Sequence, residues 1–189
     1  MTKILAFSGS ARNGSFNQKL VKIAALGAEQ AGAEVSVINL ADFPMPIFDQ
    51  DLEAKSGMPD NAQQFKQLLI AHDGFLIASP EYNSAFSPLL KNAIDWASRR
   101  VGDEAPLLAF RGKMAAIMAT SPGALGGLRG LVFLRLLLSN IGVTVLADQY
   151  AVGQAGTAYT DDGSLVDQQT QTNIVSLGAE LAKSLANRK

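Results

Sequence analysis

Short apolar runs and stretches of helical periodicity alternate along the whole chain. Residues 3–7 are apolar after Lys3 and lead into Ser8-Gly9-Ser10, which reads as a buried strand entering a loop. From 17 to 31 the positions Leu20, Ile23, Ala24 and Gly27 recur at helical spacing, and Gly32 follows as a stop. Residues 35–40 alternate like a strand. Residues 41–60 hold three prolines among mixed polar residues and predict a long irregular loop. A helix is predicted over 62–71 and a buried strand over 74–78. Residues 79–83 form a loop, and Ser87-Pro88 then gives an N-cap with proline at the first helical position. That helix carries Leu89, Leu90, Ala93, Ile94 and Trp96. Residues 99–113 are polar and rich in turns. A strand over 114–119, a loop with four glycines over 121–130 and a helix over 131–140 come next. A strand over 143–147 and a terminal helix over 166–186 complete the reading.

The strands are near-continuous apolar runs, as expected when both faces are covered by helices. Five such strands alternating with helices within 189 residues predict an α/β flavodoxin-like fold in one domain. It is a doubly wound five-stranded parallel sheet with helices on both faces. In such a sheet a ligand sits beyond the carboxyl ends of the strands, so the loops after the first, third and fourth strands should form the site.

Composition narrows the chemistry. Hydrophobic residues are 48% and charged residues 17%, enough burial to exclude a disordered chain. Net charge is -1, which provides no basic surplus for a nucleic-acid backbone. Cysteine is absent, so thiol nucleophiles, zinc–thiolate centres, iron–sulfur clusters and disulfides are excluded, and one histidine excludes a multi-histidine metal site. The apolar stretch at residues 3–7 is too short for a signal-peptide core, and residues 131–138 are far short of a membrane span. A cytoplasmic protein is expected.

Three loops carry the candidate chemistry. The first runs Ser8-Gly9-Ser10-Ala11-Arg12-Asn13-Gly14-Ser15-Phe16-Asn17, between a strand and a helix. A helix N-terminus offers unpaired N–H groups and a positive dipole end. Serine and asparagine add neutral donors and Arg12 adds a guanidinium, a set able to surround a phosphate monoester. Ser15-Phe16 stands where a nucleotide P-loop requires Lys-Ser/Thr, so that motif fails. A polar loop that simply caps the helix would use the same residues. The second loop, Pro80-Glu81-Tyr82-Asn83-Ser84-Ala85-Phe86, places aromatic rings where a flat ligand could stack, or where the core could absorb them. The third, Ser121-Pro122-Gly123-Ala124-Leu125-Gly126-Gly127, allows close approach of backbone to ligand, or serves as a flexible connector.

Together these segments resemble the NAD(P)H-dependent FMN reductases, a family with quinone, chromate and azo-dye reductases among its relatives. Gly9-Ser10-x-Arg12-x-x-Ser15-x-Asn17 is similar to that family's phosphate loop, Pro80-Glu81-Tyr82-Asn83 to its flavin-ring loop, and Ser121-Pro122-Gly123 to its third loop. Pro88-x-Leu90-Lys91-Asn92-Ala93-Ile94-Asp95-Trp96 is similar to the intervening helix. The resemblance implies FMN as cofactor and NAD(P)H as co-substrate. It implies a quinone, free flavin or similar small-molecule acceptor, ping-pong turnover, and a homodimer or homotetramer. It places Ser10, Arg12, Ser15, Phe16 and Asn17 at the phosphate end and Pro80, Glu81, Tyr82 and Asn83 at the ring. Ser121, Pro122 and Gly123 fall on the far side of the ring, and the chemistry is left to FMN. Two segments depart from the family pattern: Ser84, where relatives often carry Gly or His, and residues 99–111, which are longer and more polar. Both are expected near an approaching substrate or neighbouring subunit.

Among the remaining residues, His72 is expected to cap a helix C-terminus. Asp42, Asp49, Asp51 and Glu53 are expected in a solvated loop, and Trp96 and Phe133 in the core. The apolar residues around 125–138 exceed what one sheet face can cover and are a candidate subunit interface. A flavodoxin-like electron carrier is the alternative function; a strongly acidic surface would favour it, and pI 5.8 does not. A serine hydrolase lacks a base at the carboxyl edge, and a phosphoacceptor regulator lacks an aspartate at the strand ends.

Overall fold

The computed structural model describes residues 1–188. In chain order its elements are β1 (Lys3–Ser8), α1 (Phe16–Gln30), β2 (Glu34–Val37), α2 (Gln50–Ser56), α3 (Asp60–Ala71), β3 (Gly74–Ala78), β4 (Glu81–Tyr82) and β5 (Ala85–Phe86). The chain continues through α4 (Pro88–Ala97), β6 (Met114–Thr120), α5 (Leu128–Asn140), β7 (Thr144–Val152) and α6 (Gln168–Ala186). The five long strands form one parallel sheet in the order β2-β1-β3-β6-β7, the flavodoxin-like arrangement expected. The chain crosses from β1 to β2 on one side and then from β2 back past β1 to β3 on the other, so the direction reverses between β1 and β3 and a crevice opens at their carboxyl ends.

Side-chain alternation explains the apolar strands. Ile4, Ala6, Leu76, Ala78, Ala116 and Met118 pack under α1 and α6, while Leu5, Phe7, Phe75, Ile77, Ala115 and Ile117 pack under α3, α4 and α5. Two glycines let α1 and α6 cross in direct backbone contact. A Cβ on Gly27 would lie 1.9 Å from the Val175 carbonyl oxygen, and one on Gly178 would lie 1.8 Å from that of Ala24. No side chain fits at either position without moving a whole helix.

The structure corrects several expectations. Residues 41–60 are not wholly irregular: α2 lies within them, with Asp49 Oδ1 accepting from the N–H groups of Asp51 (2.7 Å) and Leu52 (3.2 Å). Asp51 and Glu53 in its first turn, Lys55 in its last and Gly57 at φ 74° are the helix signals that the surrounding prolines obscured. Residues 81–86 are a small hairpin rather than plain loop. The glycine loop closes at Gly127, and Gly130 belongs to α5. The last strand is longer than expected, because its register slips between Ala115/Val145 and Ile117/Gln149. Arg135 fills the resulting bulge by donating to the carbonyls of Leu146 (2.7 Å) and Ala147 (3.2 Å).

Trp96 is buried as expected, but Phe133 is 50% exposed on the outer side of α5. His72 caps α3: its Nδ1 donates to the Leu68 carbonyl (2.6 Å), which leaves Nε2 to accept from the Ser36 hydroxyl (2.9 Å). The 99–111 segment does not approach the carboxyl edge. A helix after a parallel strand runs back to the amino edge, so the chain beyond α4 is carried away from the site. Arg99 binds Glu53 of α2 (2.8 Å), the Arg99 carbonyl and the Glu104 carboxylate hold Lys66 of α3, and Gly112 N–H donates to the Gly142 carbonyl (3.0 Å).

Candidate functional site

A cavity of about 380 Å³ opens at the carboxyl ends of β1, β3 and β6. It is lined by Ser10, Arg12, Ser15, Phe16 and Asn17 from the first loop, Pro80, Glu81 and Tyr82 from the second, and Thr120, Ser121 and Pro122 from the third. A wider groove of about 750 Å³ along α3, lined by Gln63, Gln64 and Gln67, lies away from the strand ends. Of the residues expected at the site, Asn83 sits at the hairpin tip and Gly123 is an exposed residue of the third loop. Neither lines the cavity. Thr120 was not anticipated; its place as the last residue of β6, one before Ser121, was the available signal.

The first loop is tied down on both sides. Ser8 Oγ accepts from Ser10 N–H (3.1 Å), and Ser87 Oγ donates to the Gly9 carbonyl (2.5 Å) while accepting from Leu90 N–H (3.1 Å). A Cβ on Gly9 would lie 2.8 Å from Ser87 Oγ, so this close contact requires glycine. Ser15 caps α1 by accepting from Gln18 N–H (3.3 Å), which leaves its own O–H free to donate toward the cavity. The Asn17 side chain is partly committed elsewhere. Its Nδ2 donates to the Thr120 carbonyl (2.9 Å) and its Oδ1 accepts from Thr120 N–H (3.1 Å), clasping α1 to β6. Its second Nδ2–H and its backbone N–H remain for a ligand. Arg12 is exposed at the rim, its guanidinium carbon 5.4 Å from the Phe16 ring centre, and Phe16 stacks on Tyr159 at 5.7 Å and 14°. Burial pushes the Tyr159 phenol up to about 12, opposed in part by the Thr120 hydroxyl.

The second loop is a hairpin with Asn83 (φ 51°) and Ser84 (φ 66°) in the left-handed region. Ser84 is thus a backbone position that glycine would occupy without strain. Glu81 turns its carboxylate to α5. Oε1 accepts from Arg129 Nε (3.0 Å) and Oε2 from Gly130 N–H (3.0 Å). Burial raises the Glu81 carboxyl, but these donors outweigh it and hold the group below the ordinary carboxylate value. In the third loop Gly126 (φ 62°) lies against β7, where a Cβ would be 2.6 Å from the Val152 carbonyl carbon.

The donor set defines what fits. Ser10 and Ser15 hydroxyls, the Arg12 guanidinium and the first N–H groups of α1 converge, and the first turn of α1 has no acidic residue. That end suits a phosphate monoester. Pro80, Tyr82 and Pro122 supply apolar and aromatic surface for a flat ring at the other end. The cavity therefore has the two ends that FMN requires.

Residues 2–157 match the family model of the NADPH-dependent FMN reductases. The chain belongs to that family. It is 34% identical to an NAD(P)H-dependent FMN reductase of Pseudomonas aeruginosa over 173 residues, covering 91% of this chain and 89% of the relative. A quinone reductase of Escherichia coli is 32% identical, with 91% of this chain and 89% of the relative covered. Among solved structures, the flavoenzyme NAD(P)H:(acceptor) oxidoreductase FerB from Paracoccus denitrificans superposes with a TM-score of 0.82 at 29% identity. The match covers 99% of this chain and 98% of that one. As a member of the FMN reductase family the protein is a flavin-dependent NAD(P)H oxidoreductase with FMN as its flavin. Among the described residues no helix is long and apolar enough to cross a membrane.

Proposed function

We propose that the cavity at the carboxyl edge holds FMN and that the protein passes reducing equivalents from NAD(P)H to a quinone, free flavin or similar small acceptor. The observation that carries this reading is the convergence of Arg12, Ser10, Ser15 and the α1 N-terminus at one end of a cavity walled by Pro80, Tyr82 and Pro122 at the other. Bound FMN supplies the hydride and electron chemistry. The protein's residues bind and orient. Arg12, the two hydroxyls and the α1 N–H groups hold the monoester, and Asn17 keeps those N–H groups in register with β6 through Thr120. Tyr82, 55% exposed, and the third loop border the mouth through which substrates reach the ring.

Reduced nucleotide and acceptor use this one mouth in turn, so turnover is ping-pong. Initial rates at several fixed acceptor concentrations should give parallel double-reciprocal lines. Intersecting lines require both substrates to be bound at once and contradict a shared mouth.

Leu125 in the third loop and Leu128, Val132, Phe133 and Leu136 of α5 are each 44% or more exposed. Such a stripe supports a homodimer or homotetramer assembled through this face. Light scattering should give a multiple of the 19.9 kDa chain, and Phe133→Asp should lower it. A wild-type monomer at micromolar concentration rejects the assembly. A cytoplasmic location belongs to the same proposal, with cell fractionation as its check.

A further inference from the structure

We propose that Glu81 is a positioning residue for the ring end of the site: its carboxylate fastens the β4–β5 hairpin, and with it Pro80 and Tyr82, to the N-terminus of α5. This rests on the flavin site proposed above. The side chain is only 8% exposed, and both of its oxygens are engaged on α5, by Arg129 (2.8 Å from Nη2) and by the N–H of Gly130 (3.0 Å). Contact with a ligand is left to its backbone.

The start of α5 shows why an acid is needed there. Its N-cap is Gly127 at φ 93°, with no side-chain cap, and its first turn has no acidic residue. The unpaired N–H groups and the positive dipole end are therefore answered from another part of the chain. The fit is close. A Cβ on Gly130 would lie 3.3 Å from the Ala85 carbonyl oxygen and 3.4 Å from Glu81 Cβ, so the hairpin rests directly on the first turn of the helix.

Beyond α5, the hairpin is held at its far end by Phe86 against the core and by Ser87 on the Gly9 carbonyl, and its tip has no such anchor among the described residues. Each strand is two residues long, and Asn83 and Ser84 both take left-handed angles that favour glycine. A hairpin this short is not stable alone. Detached from α5 it would sample other positions, and the wall formed by Pro80 and Tyr82 would no longer be set before the ring arrives. The ordering cost would then fall on binding. Because the defect lies at the ring end, it should be indifferent to the monoester.

The test is titration of apo wild type, Glu81→Ala and Glu81→Gln with FMN and with riboflavin, followed by flavin fluorescence. Glu81→Ala should weaken both flavins by the same factor, about tenfold, the loss expected for a charge-assisted contact. Glu81→Gln keeps an oxygen for the Gly130 N–H and should restore both affinities to within about threefold of wild type. Should the alanine variant not fold, Arg129→Ala carries the test. That side chain is 60% exposed, and its loss should weaken both flavins equally, by about threefold. Unchanged affinities in Glu81→Ala, a loss confined to FMN, or a glutamine variant as defective as alanine overturns the role of Glu81 and leaves the site proposal standing. A folded wild type that binds neither flavin overturns the site proposal itself.

Discussion

Arg12→Ala should lower FMN affinity about tenfold while riboflavin affinity stays nearly unchanged. The guanidinium stands at the phosphate end of the cavity, and riboflavin lacks the phosphate. A charge-assisted hydrogen bond contributes roughly 1.5–3 kcal/mol, equivalent to about ten- to hundred-fold in affinity. The lower end applies because Arg12 is exposed, where water and salt screen it, and because the α1 N–H groups and the Ser10 and Ser15 hydroxyls remain. The apo protein should melt as wild type does, since among the described residues the Arg12 side chain makes only the Phe16 contact and a hydrogen bond to the Asn13 carbonyl (3.2 Å). Paired titrations of apo protein with the two flavins check this. Equal losses for both would place Arg12 at the ring or in the fold.

The largest effect on stability should come from a residue outside the site. Lys66 is 1% exposed, and its ammonium donates to the Arg99 carbonyl (2.6 Å) and to the Glu104 carboxylate. Glu104→Ala leaves that charge buried with one carbonyl for company. Removing one partner of a buried pair costs about 3–5 kcal/mol. The lower figure is expected, because Glu104 is itself 21% exposed and the Arg99 carbonyl stays. Lys66→Met removes the buried charge as well and should cost far less. Urea denaturation of the two variants separates these outcomes, and equal stabilities would show that the pair does not hold the 99–104 segment to α3. The pair also carries a pH signature. The Lys66 hydrogen bond, with the Val101 N–H and the charges of Lys66 and Arg100, outweighs burial and holds Glu104 below the ordinary carboxylate value. Its contribution is therefore complete above about pH 4.3, the unfolded value, and is lost as pH falls through the lower folded value.

The sheet was legible because burial on both faces leaves a plain signature. Residues 74–78 and 114–119 are apolar throughout, and no surface strand reads that way. Capping chemistry made Ser87 and His72 readable as helix boundaries. Features set by distant contacts were not. Nothing local marks Glu81 as the acid that answers α5, because its partners lie 48 and 49 residues away. Asn17 reads as a phosphate donor, and nothing local shows that its amide also joins Thr120, 103 residues on. The slip in β7 likewise depends on Arg135 filling it from α5. Phe133 was misplaced because α5 is apolar nearly all round, and periodicity cannot say which side of such a helix faces the sheet. Residues 99–111 were expected near an approaching substrate or neighbouring subunit because they are longer and more polar than the family pattern, and the direction of α4 carries them away from the carboxyl edge.

Which flavin the protein carries decides the chemistry of the first loop. The first loop presents donors for a terminal monoester at a single helix N-terminus, and a dinucleotide would require room for a pyrophosphate as well. Chromatography of the cofactor released by denaturing the purified protein is the direct measurement. FMN, and no FAD, is the result predicted. Recovery of FAD, or of no flavin from refolded protein offered FMN, would contradict it.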